Sequence, residues 1–323
     1  MLMLAGLMGL MLVGATAFVG LDQVEDGEIS GDAPDDSDVQ AGFSSVLLDM
    51  LGAQIMTGTA KGEQIEGSDE ADQIGGYSGD DTIRGEAGPD FLYGGAGHDL
   101  LSGQAGDDVV HGQDDDDTLT GSSGDDALFG HMGQDLLMGE GDDDTLHGGG
   151  GADALYGGSG DDALHGGLGA DVLLGGEGQD TLLGSSGDDW MAGFAARLHA
   201  EGAEDWPQTD YLNGGPGADT LLADSADILT LGAGRDTAVI GDWVAAGAGV
   251  TMMDFTAGED QLLLIHTDTD GDHLDVEIEA NDTETRVRLN GSVLAILPPG
   301  TAITLDDIVL VPESAATGLL GAA

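Results

Sequence analysis

Between residues 58 and 192 a carboxylate returns at every ninth position. Asp72, Asp81, Asp90, Asp99, Asp108, Asp117, Asp126, Asp135, Asp144, Asp153, Asp162, Asp171, Asp180 and Asp189 follow one another in unbroken phase, with Glu63 in the slot before them. Asp219, Asp227 and Asp236 continue the series beyond a short interruption, one of the steps being a residue short. Paired carboxylates can serve acid–base catalysis, but every pair in this stretch is accounted for by the repeat. Brought one strand spacing apart, such groups repel unless they share a cation. The ion that suits them is hard, takes six to eight oxygens, and accepts carboxylates and backbone carbonyls alike; calcium has these properties.

The elements that must position these carboxylates are nine-residue units, fifteen of them from Gly58 to Ala192 without insertion or deletion. Gly157-Gly158-Ser159-Gly160-Asp161-Asp162-Ala163-Leu164-His165 is a clean example. Position one is always Gly, and position eight is always Ile, Leu, Val or Met, from Ile65 to Met191. A period held this long is a repeat architecture. Glycines at positions one and four can take positive φ at little cost, so the first six residues of a unit are expected to form a tight turn. Asp115 and Asp142 replace the fourth-position glycine tolerably, whereas Lys61 and Glu70 in the first two units predict irregular turns. Positions seven to nine read out, in, out, a minimal strand whose central aliphatic faces inward. Two units make one coil with a turn on each side. One buried aliphatic per nine ordered residues leaves apolar burial short of the conformational entropy it must offset. The sixth-position carboxylates, bridged by cations, supply what is missing. A solvated acidic coil would have no reason to hold an aliphatic at every ninth place.

The unit resembles the GGxGxDxUx nonapeptide of RTX (hemolysin-type) calcium-binding repeat proteins. The resemblance implies an all-β fold, a parallel β-roll or β-helix-like solenoid closed by a C-terminal antiparallel β cap. It implies multiple Ca2+ ions, each lying between turn n and turn n+2. The site residues it carries over are the seventeen position-six aspartates named above. Eight turns on one side and seven on the other would allow up to about thirteen interturn sites, on a roll roughly 36 Å long.

Composition agrees with this. A net charge of −57 over 323 residues self-repels without counter-ions and excludes nucleic acid and anionic membrane surfaces as partners. Cysteine is absent, so there is no disulfide, thiolate metal site or Cys nucleophile. Enzyme classes fare poorly: no HExxH motif occurs among the eight histidines, no GxSxG nucleophile elbow occurs, and about 57 residues precede the repeats.

The remaining segments divide as follows. Residues 1–21 carry no charged side chain and are long enough to span a bilayer; a membrane anchor, a cleaved signal ending near Ala15-Thr16-Ala17 and a peripheral apolar peptide are the readings, in that order. Residues 22–57 form an acidic linker. Residues 193–204 are an insertion in which Phe194–Ala200 suits one or two helical turns, and 205–240 are a degenerate continuation of the roll. Residues 241–323 contain Asp254-Phe255-Thr256-Ala257-Gly258-Glu259-Asp260-Gln261-Leu262, which is similar to the closing element of RTX domains. Strand-like runs follow at 274–279, 285–289, 292–297 and 304–311, with Asn290-Gly291 as a hairpin turn. They predict a β cap, and the tail is compatible with an uncleaved type I secretion signal. Asp268-Thr269-Asp270-Gly271-Asp272 has acid spacing like an EF-hand, but His273 stands where that loop needs Gly, and a polar turn is expected. His111, His147 and His165 share position nine with Tyr93 and Phe129; outward ladder contacts are the expectation, over a transition-metal site.

The sequence therefore predicts a non-enzymatic, calcium-binding extracellular or cell-surface protein that folds on calcium. The alternative is an adhesin-like protein that uses the roll or the cap to bind an unknown protein or glycan. Possible further contacts are the type I secretion machinery and, through residues 1–21, a membrane.

Overall fold

The computed structural model describes residues 54–194, 208–241, 244, 248–267 and 274–316. The apolar segment 1–21, most of the linker, residues 195–204 of the insertion with residues 205–207 after it, the acidic loop 268–273 and the tail 317–323 lie outside the described residues. No helix among the described residues is long and apolar enough to cross a membrane.

Successive strands alternate between two parallel sheets, as a repeat with a turn after every ninth residue requires. Among the described residues, one sheet of fourteen strands starts at Ile55–Thr57 and the other, of twelve, at Gln64–Glu66. Each strand pairs with the strand two units on, in a register that places like positions together. Leu146 stands beside Leu128 and Leu164, and Leu137 beside Leu119 and Leu155. The position-eight side chains from Ile74 to Met191 thereby form one continuous interior column, each at most 1% exposed. The expected parallel β-roll is the fold.

The strands are longer than the three residues expected. Thr82–Ala87 and Thr145–Gly150 run from position seven of one unit to position three of the next. The position-one glycine is therefore an inward-facing strand residue, buried between two turns of the coil, and does not take positive φ. Positive φ falls instead on positions two and four, for example Tyr77 (79°) with Gly79 (99°) and Glu140 (80°) with Asp142 (72°). Chain reversal fixes both places whatever the side chain, which is why Tyr, Glu, Gln and His are found at position two. Lys61 and Glu70 do not adopt positive φ, so the first two turns depart from the rest as expected.

The parallel ladders do not stop at residue 240. Val250–Met252 and Gln261–His266 extend the two sheets, and Ile308–Pro312 pairs parallel with the latter. Among the described residues, Val276–Ala280, Thr285–Leu289 and Ser292–Leu297 form the antiparallel part, with Asn290 and Gly291 at positive φ in the turn. The last of these also pairs parallel with Val250–Met252, which joins the cap to the roll. A second apolar layer, not anticipated from the alternation, covers the outer face of the twelve-stranded sheet near its C-terminal end. Leu174, Ala192, Phe194, Leu222, Val239 and Leu263 pack there with Ala316 of the short helix Glu313–Ala316, and Trp190 lies against them.

Candidate metal centre

The seventeen expected ligands are all placed inside the roll, each no more than 4% exposed. A buried carboxylate must be hydrogen-bonded or paired with a cation. Half of that requirement is met by the chain. Oδ1 of each rung accepts the backbone N–H of the rung two units earlier: Asp72 N–H to Asp90 at 2.7 Å, Asp108 N–H to Asp126 at 2.7 Å, Asp126 N–H to Asp144 at 2.8 Å. Following these bonds separates two ladders, one along each edge of the roll. The first runs from Asp72 through Asp180 and, across the insertion, Asp210 to Asp227. The second runs from Glu63 and Asp81 through Asp189, Asp219 and Asp236 to Asp260. Asp210 and Asp260 are thus rungs in addition to the seventeen.

Oδ2 is different. In Asp81, Asp90, Asp99, Asp108, Asp117, Asp126, Asp135, Asp144, Asp153, Asp162, Asp171, Asp180, Asp189, Asp219 and Asp236 it is buried without a hydrogen-bond partner. This oxygen lies over the Cα of the position-one glycine of its own unit. A Cβ on Gly139 would collide with Asp144 Oδ2 and stand 2.7 Å from the Gly157 carbonyl oxygen of the next coil. The space kept open by the missing side chain is therefore lined by a carboxylate oxygen and a carbonyl oxygen. That hard, all-oxygen donor set fits calcium, and the orphaned Oδ2 atoms require a positive partner. No group of three ligating side chains occurs among the described residues.

Without a cation the burial is costly. Desolvation raises the Asp126 carboxyl to about 6, Asp117 to about 7 and Asp144 to about 8, with neighbouring carboxylates adding repulsion. Asp108 and Asp180 are pushed up to about 7 and about 8 for the same reason.

Two expected ligands, Asp72 and Asp227, depart from this pattern. Asp72 Oδ2 accepts the Ser68 N–H at 2.6 Å and its hydroxyl at 2.9 Å. Asp227 Oδ2 accepts the Asp224 N–H at 2.8 Å, which the one-residue-short turn brings within reach.

The position-nine histidines form the expected ladder of outward contacts. His111 stacks on Phe129 at 4.7 Å, and Phe129 on His147 at 5.1 Å, while His165 meets His147 edge-on. His131, from position two, brings its Nε2 to 2.9 Å from His111 Nδ1. Burial lowers both rings, His111 to about 4.

The model of the RTX calcium-binding nonapeptide repeat (four copies) matches residues 57–92, 75–110, 102–137, 111–146, 129–164, 138–173, 165–193 and 208–238. Together these cover 57–193 and 208–238, more than half of the 323 residues. No curated protein matched the chain.

Proposed function

Because the chain belongs to the RTX calcium-binding nonapeptide repeat family, we propose that it is a non-enzymatic module that folds when it meets extracellular calcium. That it is a calcium-binding repeat protein follows from the family. The observation that supports the finer reading is the set of fifteen buried Oδ2 atoms for which the fold provides no donor. Calcium, when bound, supplies the positive charge and the coordination that those oxygens need. The chain's own residues do the rest: position-one glycines keep the space open, Oδ1 acceptors fix each carboxylate, and positive φ at positions two and four closes the turn. At low calcium the rungs repel and the chain stays extended, a form suited to a type I export channel. Dissociation constants on the order of 10⁻⁴–10⁻³ M would leave it unfolded in the cytosol and folded outside. Circular dichroism during calcium addition to chelated protein tests this; no gain of strand signal at millimolar calcium would defeat it.

A second reading, an adhesin-like interaction protein, is favoured by the outer face of the fourteen-stranded sheet. Tyr77, Tyr93, Met132, Leu168 and Tyr211 are all exposed there. Capture of one glycan or protein class in calcium, and not in chelator, would establish it.

A further inference from the structure

The two carboxylate ladders end in the same way at all four ends. In one ladder the terminal rungs are Glu63 and Asp260; in the other they are Asp72 and Asp227. Each has its second oxygen taken by an N–H from its own turn. Thr59 N–H donates to Glu63 Oε2 at 3.0 Å, and Ser68 N–H to Asp72 Oδ2 at 2.6 Å. Asp224 N–H donates to Asp227 Oδ2 at 2.8 Å, and Thr256 N–H to Asp260 Oδ2 at 2.6 Å. The hydroxyls of Thr59 and Ser68 add a bond each.

The fifteen rungs with an orphaned Oδ2 all lie between these ends. Every one of them follows a turn with positive φ at position two, from Tyr77 before Asp81 to Gly232 before Asp236. In these turns no N–H reaches the second oxygen. Thr59, Ser68, Asp224 and Thr256 are not at positive φ, so their N–H groups point back at it. The local backbone thus decides whether the second oxygen is closed by the chain or left for a cation.

We infer that Glu63, Asp72, Asp227 and Asp260 are metal-free end stops, which confine the calcium sites of both ladders to the rungs between them. This rests on the calcium reading above and says where the ions stop. A terminal carboxylate has a neighbouring carboxylate rung on one side only, and so half of an interturn site. The N–H cap removes that half-site and leaves each end electrostatically complete without an ion. Thr59, Ser68 and Thr256 stand four residues before Glu63, Asp72 and Asp260, but the same spacing at Ser122 before Asp126 and Ser185 before Asp189 leaves Oδ2 open, because there the serine takes positive φ.

Calcium bound per full-length chain, counted by equilibrium dialysis at saturating calcium, tests the inference with three variants. Asp72→Asn keeps the parent count, because Asp72 holds no ion. Asp126→Asn, an interior rung, loses at least one. Ser68→Gly with Glu70→Gly restores glycine to positions two and four of the first-ladder end turn, frees Asp72 Oδ2, and gains one. Loss of as many ions in Asp72→Asn as in Asp126→Asn would overturn the end stops while leaving the calcium reading intact. So would a Ser68→Gly/Glu70→Gly variant that folds and gains none. A parent that binds no calcium at all would instead overturn the calcium reading, and the end stops with it.

Discussion

Acidification should hold the chelated roll together, and neutral pH should release it. Ten rungs, among them Asp90, Asp99, Asp126, Asp153 and Asp189, have carboxyl groups raised from 3.8 to about 6 by burial. A folded pKa above the unfolded one means that folding favours the protonated form. The stability is therefore complete below about pH 4 and is lost as pH rises through 6 to 8, where Asp144 and Asp180 also ionise. A shift of about two units corresponds to roughly 3 kcal/mol per rung at full weight, and about 1 kcal/mol after a threefold discount for screening and relaxation. Ten rungs at the discounted value reach about 10 kcal/mol, comparable with the whole stability of an ordinary domain. In excess chelator the far-ultraviolet strand signal should be high at pH 5 and fall on titration to pH 7.5, whereas with millimolar calcium it should persist at both. A strand signal in chelator that is flat from pH 5 to 7.5, or that rises with pH, would refute the reasoning.

Three further outcomes follow from individual residues. Gly139→Ala places a Cβ against Asp144 Oδ2 and 2.7 Å from the Gly157 carbonyl, so it should raise the calcium concentration needed for folding several-fold, read from the midpoint of the calcium titration. Leu146→Ala removes a fully buried interior side chain and should cost about 2–5 kcal/mol in calcium, measured by urea unfolding, with hydrogen exchange increased in neighbouring coils more than in the cap. Arg288→Ala breaks an exposed pair with Glu279 at 3.0 Å and should change stability by less than about 1 kcal/mol, within the error of the same unfolding assay.

The architecture was readable from the sequence because phase alone dictates it: an aliphatic at every ninth place from Ile65 to Met191 fits only a stacked coil. The irregular first turns were readable too, since Lys61 and Glu70 stand where positive φ is needed. Positive φ at position two was not, because Tyr77, Glu86, Gln104 and His131 carry no signal for it; closing the turn imposes it. The strand through the position-one glycine was hidden for a similar reason. Glycine reads as a turn residue, but here it clears room for the carboxylate five residues later. The outer layer on Leu174, Leu222 and Val239 depends on Ala316, 77 residues or more away in sequence. The closed ends had a visible trace in Thr59 and Ser68, four residues before Glu63 and Asp72, whose meaning needed the hydrogen bonds to be seen.

The central claim is that divalent ions between the turns, rather than apolar packing, hold the roll. Simultaneous measurement of bound calcium and of strand signal at pH 7.5, on full-length protein taken from excess chelator to millimolar calcium, tests it most directly. The two curves should rise together and fall together when chelator is restored. A chain already fully stranded in chelator, with no change in signal as calcium is added, would contradict it.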